Sequence, residues 1–593
     1  MVAESQVVDF DDVLPLAGEF GRYQWVLFLS LAPFCCNLAF IYFTQIFMTL
    51  TPERFWCSDP DLSELPHDIR QNLSSLLYPN KGDACQVYQF NYTNWNNYKE
   101  PDGAWPKREC TNWEYDLSDI GNYPSIVTEL NWVCGRDWYS TLYQSIFFVG
   151  AIVGGLIVAW AADRWGRLPM LVACNLIGAL SCILTAVASS LPELLFHRFL
   201  GGLAFDNIFV MIYVLVLEYV GPSHRTLVAN LSIAIFYTLG TVVIPWIALG
   251  LGDWRLLSAV ISLPMLLGGL AFWLLPESAR WLLTQGRVEE TIIILKRIAH
   301  VNGKTIPEKM LKDLQESTEA DVSESMEEES QSVTMFDLLK SPRLRRTTIA
   351  ISLLWMLVNL VYDGHARNVS NLGSSVFETF SIASATELPA DLFLVFTLDR
   401  WGRKWMSFGS LMASGIFTIV AAAVSSDLLT IFAVIGRFCV NIAFNIGLQY
   451  AAELLPTVVR AQGVASIHIA GYVAGILSPL IVLLGQWSKV ASLLVLGVAS
   501  MLAGLISIML PETLNRDLPQ TLEDGENFGA DQGLCYFPCR DTVSTSTKRH
   551  LSLEPQPSFI RRGPRHRASV RGETYRSTLI RHRREVMYIP AYD

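Results

Sequence analysis

The chain has 593 residues, enough for three or four soluble domains, yet 51% of them are apolar and the mean hydropathy is +0.33; this excludes an ordinary soluble assembly and points to lipid as the solvent. The net charge of −11 is too unevenly placed to imply a basic partner or nucleic acid: residues 46–137 carry fourteen Asp/Glu against seven Lys/Arg, residues 313–329 carry eight acidic residues and no basic one, and from Arg540 onward twelve Lys/Arg face five Asp/Glu. Charge blocks of this kind are solvated loops and tails.

The first 22 residues are polar and mixed in charge. They lack the basic start and short apolar core of a secretion signal, so the first helix is expected to act as an uncleaved insertion signal. Apolar segments then follow near 24–46, 139–162, 168–189, 194–218, 226–250, 255–275, 347–366, 374–398, 405–425, 427–452, 462–485 and 489–510. Each has about the 20 residues that cross a bilayer core as helix, where a strand needs about half as many. The expected fold class is therefore an all-α polytopic membrane protein with twelve transmembrane helices.

Twelve crossings put both termini on one side. Arg164, Arg167, Arg225, Arg400, Arg403, Lys404 and Arg460 fall in short loops on that side, against mainly Arg255, Arg367 and Lys489 opposite, which predicts that both termini are cytoplasmic. The chain then divides into a cytoplasmic N-terminus (1–23), a six-helix bundle (24–275) that contains a large extracellular loop (47–138), a cytoplasmic central loop (276–346), a second six-helix bundle (347–510) and a basic cytoplasmic tail (511–593).

The large loop holds Cys57, Cys85, Cys110 and Cys134 and the sequons at Asn72 and Asn91. An oxidising, glycosylating face suits both features. Four cysteines allow three disulfide pairings, and spacing leaves the choice open. Asn368 begins a third outward sequon, close to a helix end. On the other side, Val288–Arg297 reads as a short amphipathic helix, and the acidic, Ser-rich run after Asp313 is expected to be disordered. The basic tail either is solvated or rests on anionic lipid.

The chain also repeats itself. Asp163-Arg164-Trp165-Gly166-Arg167 recurs letter for letter as Asp399-Arg400-Trp401-Gly402-Arg403. Glu218 with Arg225 is matched by Glu453 with Arg460, Pro276-Glu277-Ser278 by Pro511-Glu512-Thr513, and Arg198-Phe199 by Arg437-Phe438, all at nearly the same offset. Four ordered matches read as a duplicated six-helix unit, both copies in one orientation. That is the plan of the major facilitator superfamily, whose substrates bind between the halves near the bilayer midplane. Asp-Arg-x-Gly-Arg resembles the core of its cytoplasmic loop motif, with Ala159 and Val395 where the usual opening glycine would stand. The resemblance implies a gating latch of Asp163, Arg164, Gly166, Arg167, Glu218 and Arg225 with Asp399, Arg400, Gly402, Arg403, Glu453 and Arg460. Asp163 is expected to meet a neighbouring helix end or cation.

A narrower resemblance covers nearly the whole length. Glu19-Phe20-Gly21-Arg22-Tyr23-Gln24, Thr128 to Cys134, Glu218 to Pro222, Pro276 to Leu282, Ala299-His300-Val301-Asn302-Gly303, Glu387-Leu388-Pro389-Ala390 and Glu453 to Arg460 resemble solute carrier family 22, the organic cation, organic anion and carnitine transporters. A sugar porter shares Pro276 to Leu282 but lacks the long first loop. Invertebrate members of the family include carriers of β-alanine and carcinine.

Ionisable groups inside a membrane helix cost roughly 2.5–3.5 kcal/mol on insertion scales, so each requires a reason. Asp206 is placed to bind an ammonium group or to pair with a basic side chain. Glu387 and Asp391 lie one turn apart on the eighth helix; Asp391 is the weaker substrate or proton site. Arg198 and Arg437, at equivalent repeat positions, are expected to pair within each half. Asn441, Asn445 and Gln449 draw one polar stripe along the tenth helix, which either contacts substrate or joins helices. Tyr143, Gln144, Tyr237, Trp355 and His468 are further cavity candidates. In the family, the residue seven before the proline of helix 11, here Pro479, is typically Asp in cation carriers and Arg in anion and carnitine carriers; here it is Tyr472.

The expected function is transport of small organic cations or zwitterions across the plasma membrane by alternating access, with a small organic solute and the lipid bilayer as partners. Organic anion transport, and a non-transporting surface receptor of the same fold, are the alternatives. No Gly-x-x-x-x-Gly-Lys-Ser/Thr loop marks an ATPase, and neither metal-ligand nor catalytic-triad spacing occurs. No cofactor, metal or enzymatic activity is expected, and the coupling ion stays open.

Overall fold

The computed structural model describes residues 10–18, 20–58, 84–88, 106–220, 225–325, 335–372, 375–424, 426–516 and 518–537. Twelve helices among them are long and apolar enough to cross a membrane. They are span 1 (Arg22–Met48), span 2 (Cys134–Trp165), span 3 (Arg167–Val187), span 4 (Leu191–Glu218), span 5 (Ala234–Leu251) and span 6 (Trp254–Leu274), then span 7 (Pro342–Asn371), span 8 (Val376–Trp401), span 9 (Arg403–Ala423), span 10 (Leu428–Leu454), span 11 (Gln462–Gly485) and span 12 (Lys489–Ile508). Eleven of the twelve predicted segments match these spans to within about five residues at each end; the fifth, predicted from 226, matches the helix Arg225–Leu251 of which span 5 is part.

Two spans are broken where apolarity alone predicts continuous helix, and span 6 tightens into a 3-10 turn at Gly268–Leu270. Span 8 consists of the helices Val376–Ala385 and Glu387–Trp401; Thr386 turns its hydroxyl back to the Ala383 carbonyl at 2.6 Å, and Pro389 begins the next turn without an amide hydrogen. Span 11 breaks between Gly475 and Ser478, ahead of Pro479. Small residues set the closest helix contacts. A Cβ on Gly202 of span 4 would lie 2.0 Å from the Phe147 carbonyl of span 2, and one on Gly150 would lie 2.2 Å from the Phe199 carbonyl, so the backbones touch where lipid offers no hydrophobic drive.

The two six-helix halves meet mainly through spans 2 and 11 and spans 5 and 8. Toward the end of the bundle that carries residues 49–133, here the loop end, Phe43 and Phe47 pack on Phe380 at 5.2 Å, Phe47 stacks on Phe377 at 5.6 Å, Ser381 bonds the Val242 carbonyl at 3.0 Å, and Ser145 bonds the Ile476 carbonyl at 2.9 Å. The opposite, motif end carries both copies of Asp-Arg-Trp-Gly-Arg.

The loop is built on two short antiparallel ladders. β1 (Arg54–Cys57) pairs with β4 (Trp113–Asp116), Arg54 opposite Asp116, and β2 (Gln86–Tyr88) pairs with β3 (Lys107–Glu109). Disulfides Cys57–Cys110 and Cys85–Cys134 tie them together and resolve the open pairing. Asn72 and Asn91 lie outside the described residues. The third sequon requires correction: Asn368 is 2% exposed, and its amide oxygen accepts from Asn371 at 2.9 Å and Ser492 at 3.0 Å, so its side chain is not presented to a glycosylating enzyme. Peptide mapping of unreduced, glycosidase-treated protein is expected to recover the two crosslinks and to find Asn368 unmodified. A Cys57–Cys85 linkage or a glycan on Asn368 would contradict the described loop.

Glu129 anchors the loop to span 6, accepting from Arg255 Nη2 at 2.6 Å and Trp254 Nε1 at 2.8 Å. Burial raises its pKa, but the bonds from Arg255 and Trp254 outweigh that and hold it below the ordinary carboxylate value. A depressed carboxylate stabilises above its unfolded pKa and loses that contribution as pH falls through the folded value. Wild type and Glu129→Gln are therefore expected to differ in thermal stability at neutral pH and to converge in strong acid, measured by thermal unfolding in detergent.

At the motif end, helices Phe10–Ala17, Ala279–Thr284, Val288–Val301 and Glu308–Ser325 form a small outer layer. Asn302 is its hub: its Oδ1 accepts from Tyr23 N at 3.0 Å, and its Nδ2 donates to the Ala17 carbonyl and to Gln24 Oε1, both at 3.1 Å. The expected disorder after Asp313 is corrected by the helix that runs to Ser325. Leu311 and Leu314, one turn apart, are buried and pin it to the neighbouring helices despite its acidic composition. Residues 518–537 also pack here. Glu526 accepts from the amides of Arg343 and Leu344 at the start of span 7, and Trp405 Nε1 bonds the Tyr536 carbonyl at 2.7 Å. The basic tail beyond Arg540 lies outside the described residues.

Candidate functional site

Asp206 stands near the middle of span 4 and is buried. Its Oδ1 accepts from the Tyr472 hydroxyl at 2.5 Å and lies 3.0 Å from His468 Nε2. His468 and Tyr472 are one turn apart on span 11, their side chains 2.8 Å from each other, so the three residues join the N-terminal half to the C-terminal half. Trp355 of span 7 lies face to face with His468 at 6.0 Å, and Phe444 of span 10 packs on Trp355 at 5.1 Å. Phe148 of span 2 lies beside Tyr472 at 6.3 Å. The result is a carboxylate in an aromatic enclosure, a setting suited to an organic cation. Tyr472, in place of the family's usual charge, directs a hydroxyl at Asp206.

Toward the loop end the next layer is a second cross-half network. Asp363 and Arg367 of span 7 pair at 3.0 Å and are buried. Asp363 also accepts from the Tyr42 hydroxyl of span 1 and from Ser478 at 2.5 Å, while Arg367 donates to Gln144 of span 2 at 2.8 Å and lies over the Tyr42 and Phe148 rings.

Several other polar residues of the spans are committed to each other. Glu387 holds Arg437 at 3.0 Å and accepts from the Tyr362 hydroxyl at 2.7 Å; Arg437 lies 3.8 Å over the Tyr362 ring, and Tyr237 of span 5 reaches Tyr362 from the other half. Asn445 donates to Asp391, Asn441 to Thr386 Oγ1 at 3.1 Å and Gln449 to Glu453 at 3.0 Å. The polar stripe of span 10 thus joins helices in this conformation. The expected pairing of Arg198 within its half is corrected. Arg198 meets neutral acceptors, Gln45 Oε1 and the Ile41 carbonyl at 2.9 Å each, and the Phe147 ring at 4.1 Å. At the repeat offset, Ala151 occupies the place of Glu387, so that helix supplies no carboxylate there.

With this geometry in view, the comparisons are specific. A family described as sugar (and other) transporter matches residues 84–524. The organic cation transporter protein of Drosophila melanogaster is 35% identical over 525 residues, covering 88% of this chain and 95% of that protein. The beta-alanine transporter of the same organism is 34% identical over 590 residues, 94% of each chain, and solute carrier family 22 member 1 of Bos taurus is 34% identical over 537 residues, 87% of this chain and 92% of that one. The chain belongs to solute carrier family 22. Among solved structures, the partially occluded inward-open xylose transporter XylE from E. coli superposes with a TM-score of 0.54 at 14% identity, over 83% of this chain and 100% of that one, which establishes the major facilitator fold alone. This family member is a membrane transporter and not an enzyme.

In the carrier's repeated motif, the glycines have a structural reason. Gly166 and Gly402 adopt φ of +104° and +82°, and a Cβ on either would strike the carboxylate of Glu277 or Glu512 at 2.2 or 2.4 Å. Those carboxylates cap the following helices: Glu277 accepts from the amides of Arg167 and Leu168 at 3.0 and 3.2 Å, Glu512 from those of Arg403 and Lys404 at 2.9 and 3.1 Å. Burial pushes the Glu277 carboxyl up while its backbone bonds oppose that shift. Asp163 pairs with Arg167 at 3.2 Å and Asp399 with Arg403 at 3.1 Å, each across one turn. Arg403 also reaches Glu453 at 3.0 Å, and Glu453 accepts from Thr513 as Glu218 does from Ser278. Arg164 lies over the Trp160 ring, Arg400 is exposed and Arg460 bonds the Leu455 carbonyl at 3.1 Å. The Arg225 side chain lies outside the described residues.

Sequence reasoning named Asp206, His468 and Tyr472 separately and did not join them, and it did not weigh Asp363. The available signal was Asp363 and Arg367 at i and i+4 within an apolar segment, where a lone surface pair would have no reason to be.

Proposed function

We propose that this carrier moves small amine-bearing solutes, organic cations or zwitterions of the β-alanine and carcinine type, across the plasma membrane by alternating access, with Asp206 as the ammonium-binding carboxylate. The observation that carries the reading is the Asp206 carboxylate near the middle of span 4, bonded by Tyr472 and by His468, which stacks on Trp355, and so held between the halves by side chains on span 11. The names of the relatives, an organic cation transporter protein, a beta-alanine transporter and a carcinine transporter, favour the same class.

Both termini are cytoplasmic in this reading and the disulfide-tied loop is extracellular, in keeping with the arginine excess at the motif end. The halves are joined at the loop end, so the conformation is the outward-closed one. The capped Asp-Arg-x-Gly-Arg turns latch the opposite end when the carrier faces outward.

Radiolabelled uptake in an expressing cell, screened across β-alanine, carcinine, carnitine, tetraethylammonium and p-aminohippurate, tests the reading. Saturable uptake of an amine-bearing member is expected. Saturable uptake of p-aminohippurate alone would replace it with organic anion transport.

A further inference from the structure

We propose that His468 carries a proton that the carrier exchanges for its amine cargo, so that one proton leaves for each amine that enters. The inference rests on Asp206 being the ammonium site and names the ion coupled to that site.

Asp206 Oδ1 has two partners, Tyr472 and His468. The phenol gives a hydrogen bond without a charge, so His468 is the partner that can neutralise Asp206. A protonated imidazole here has a carboxylate 3.0 Å from Nε2, the Trp355 face alongside and the Tyr472 ring edge-on at 5.0 Å. An alkylammonium cargo requires the same surroundings, an anion in front and aromatic faces at the sides. Gly471 makes the enclosure possible, because a Cβ there would lie 2.6 Å from Trp355 Nε1. The imidazolium therefore holds the place the cargo needs, and the two compete for one carboxylate.

The other groups around His468 do not replace it in this role. Span 7 presents Trp355 and Asn359, both neutral, toward Gly471; span 2 presents Phe148 toward Tyr472; Phe444 of span 10 backs Trp355. Beside Tyr472 stand Tyr42 and Asp363, and Asp363 is paired with Arg367. On the other side of span 10, Asp391 is held by Asn445.

Coupling follows from charge. With imidazolium or ammonium beside it, Asp206 crosses between the two open states as part of a neutral pair. With neither, a bare carboxylate must make the same passage through a water-poor seam, which is costly. The carrier therefore reorients when it holds cargo or proton and is slow when it holds neither. Outside, the amine binds Asp206 and His468 gives its Nε2 proton to external water; after reorientation the amine leaves, and the imidazole takes a proton from internal water and re-forms the pair. The structure, joined at the loop end with His468 on Asp206, is the proton-loaded form that returns. For a monovalent amine the cycle moves no net charge.

The test uses the full-length carrier in proteoliposomes with a trapped pH dye and the potential clamped by potassium and valinomycin. The probes are tetraethylammonium, which has no free base to leak, and carcinine. An inside-acid gradient of about one pH unit offers roughly a tenfold proton ratio. It is expected to accelerate uptake at least about threefold, with an interior alkalinisation of about one proton per amine. His468→Gln is expected to bring the ratio of uptake with and without the gradient to about one, while Asp391→Asn keeps the wild-type ratio. Indifference of the wild type to the gradient overturns proton exchange while leaving the amine reading standing, as does a gradient response retained in His468→Gln or lost in Asp391→Asn. Uptake of neither probe overturns both. If His468→Gln does not fold, the proton count in the wild type decides alone.

Discussion

Asp206→Asn is expected to lower the affinity for amine cargo by about 10- to 100-fold at normal surface abundance, because an amide keeps the shape of the site and removes the charge. A hydrogen bond to a charged group contributes about 1.5–3 kcal/mol, and 1.4 kcal/mol is a factor of about ten in affinity. Tyr472 and His468 can still bond the amide oxygen, so the half-to-half contact persists and the loss falls on the cargo. Asp391→Asn provides the contrast. Asp391 is bonded by Asn445 from the adjacent span 10 and has no part in the aromatic enclosure, so uptake in that variant is expected to change by no more than about threefold. Concentration dependence of carcinine uptake in the two variants checks both expectations; equal losses would mean that Asp206 is not the distinguishing carboxylate.

The second large effect is conformational. Asp363→Ala leaves Arg367 buried without its carboxylate at the seam and also removes the acceptor of Tyr42 and Ser478. Breaking a buried pair by deleting one partner costs about 3–5 kcal/mol. Because the lost Tyr42–Asp363 bond joins the halves, part of that cost falls on the loop-closed state. A cysteine at position 380, where Phe380 now packs against Phe43 and Phe47, reports the consequence. Labelling of Phe380→Cys by an impermeant maleimide is expected to rise at least about tenfold when Asp363→Ala is added, for a shift of about 1.4 kcal/mol or more between the states. Unchanged labelling in a stably folded double variant would mean that the Asp363 network stabilises span 7 alone.

The spans were legible because lipid imposes a length and an apolarity that no local preference can hide, and the repeat was legible because both halves keep the same turn. Gly166 and Gly402 show why: each needs a positive φ and a missing Cβ at once, a demand written directly in the residue. The breaks in spans 8 and 11 were not legible from hydropathy, which does not register backbone angles. Nor was the acidic helix to Ser325, where two buried leucines outweigh six carboxylates in setting the local structure.

The site was legible as residues and not as a constellation. His468 and Tyr472 share a helix face by spacing, but Asp206 is 262 residues from His468, and no periodicity links them. Asn441, Asn445 and Gln449 formed a visible stripe, while their partners on span 8 and at Glu453 depend on how spans 8 and 10 approach. Arg198 and Arg437 sit at matching repeat positions yet differ in partner, because the duplicated frame is shared and its carboxylates are not.

Equilibrium binding of radiolabelled carcinine to the purified carrier, compared between wild type and Asp206→Asn at equal folded fraction, tests whether Asp206 is the ammonium site. One saturable site per chain is expected in the wild type, with a dissociation constant raised by about 10- to 100-fold in Asp206→Asn. Saturable carcinine binding of equal strength in both proteins would contradict that assignment.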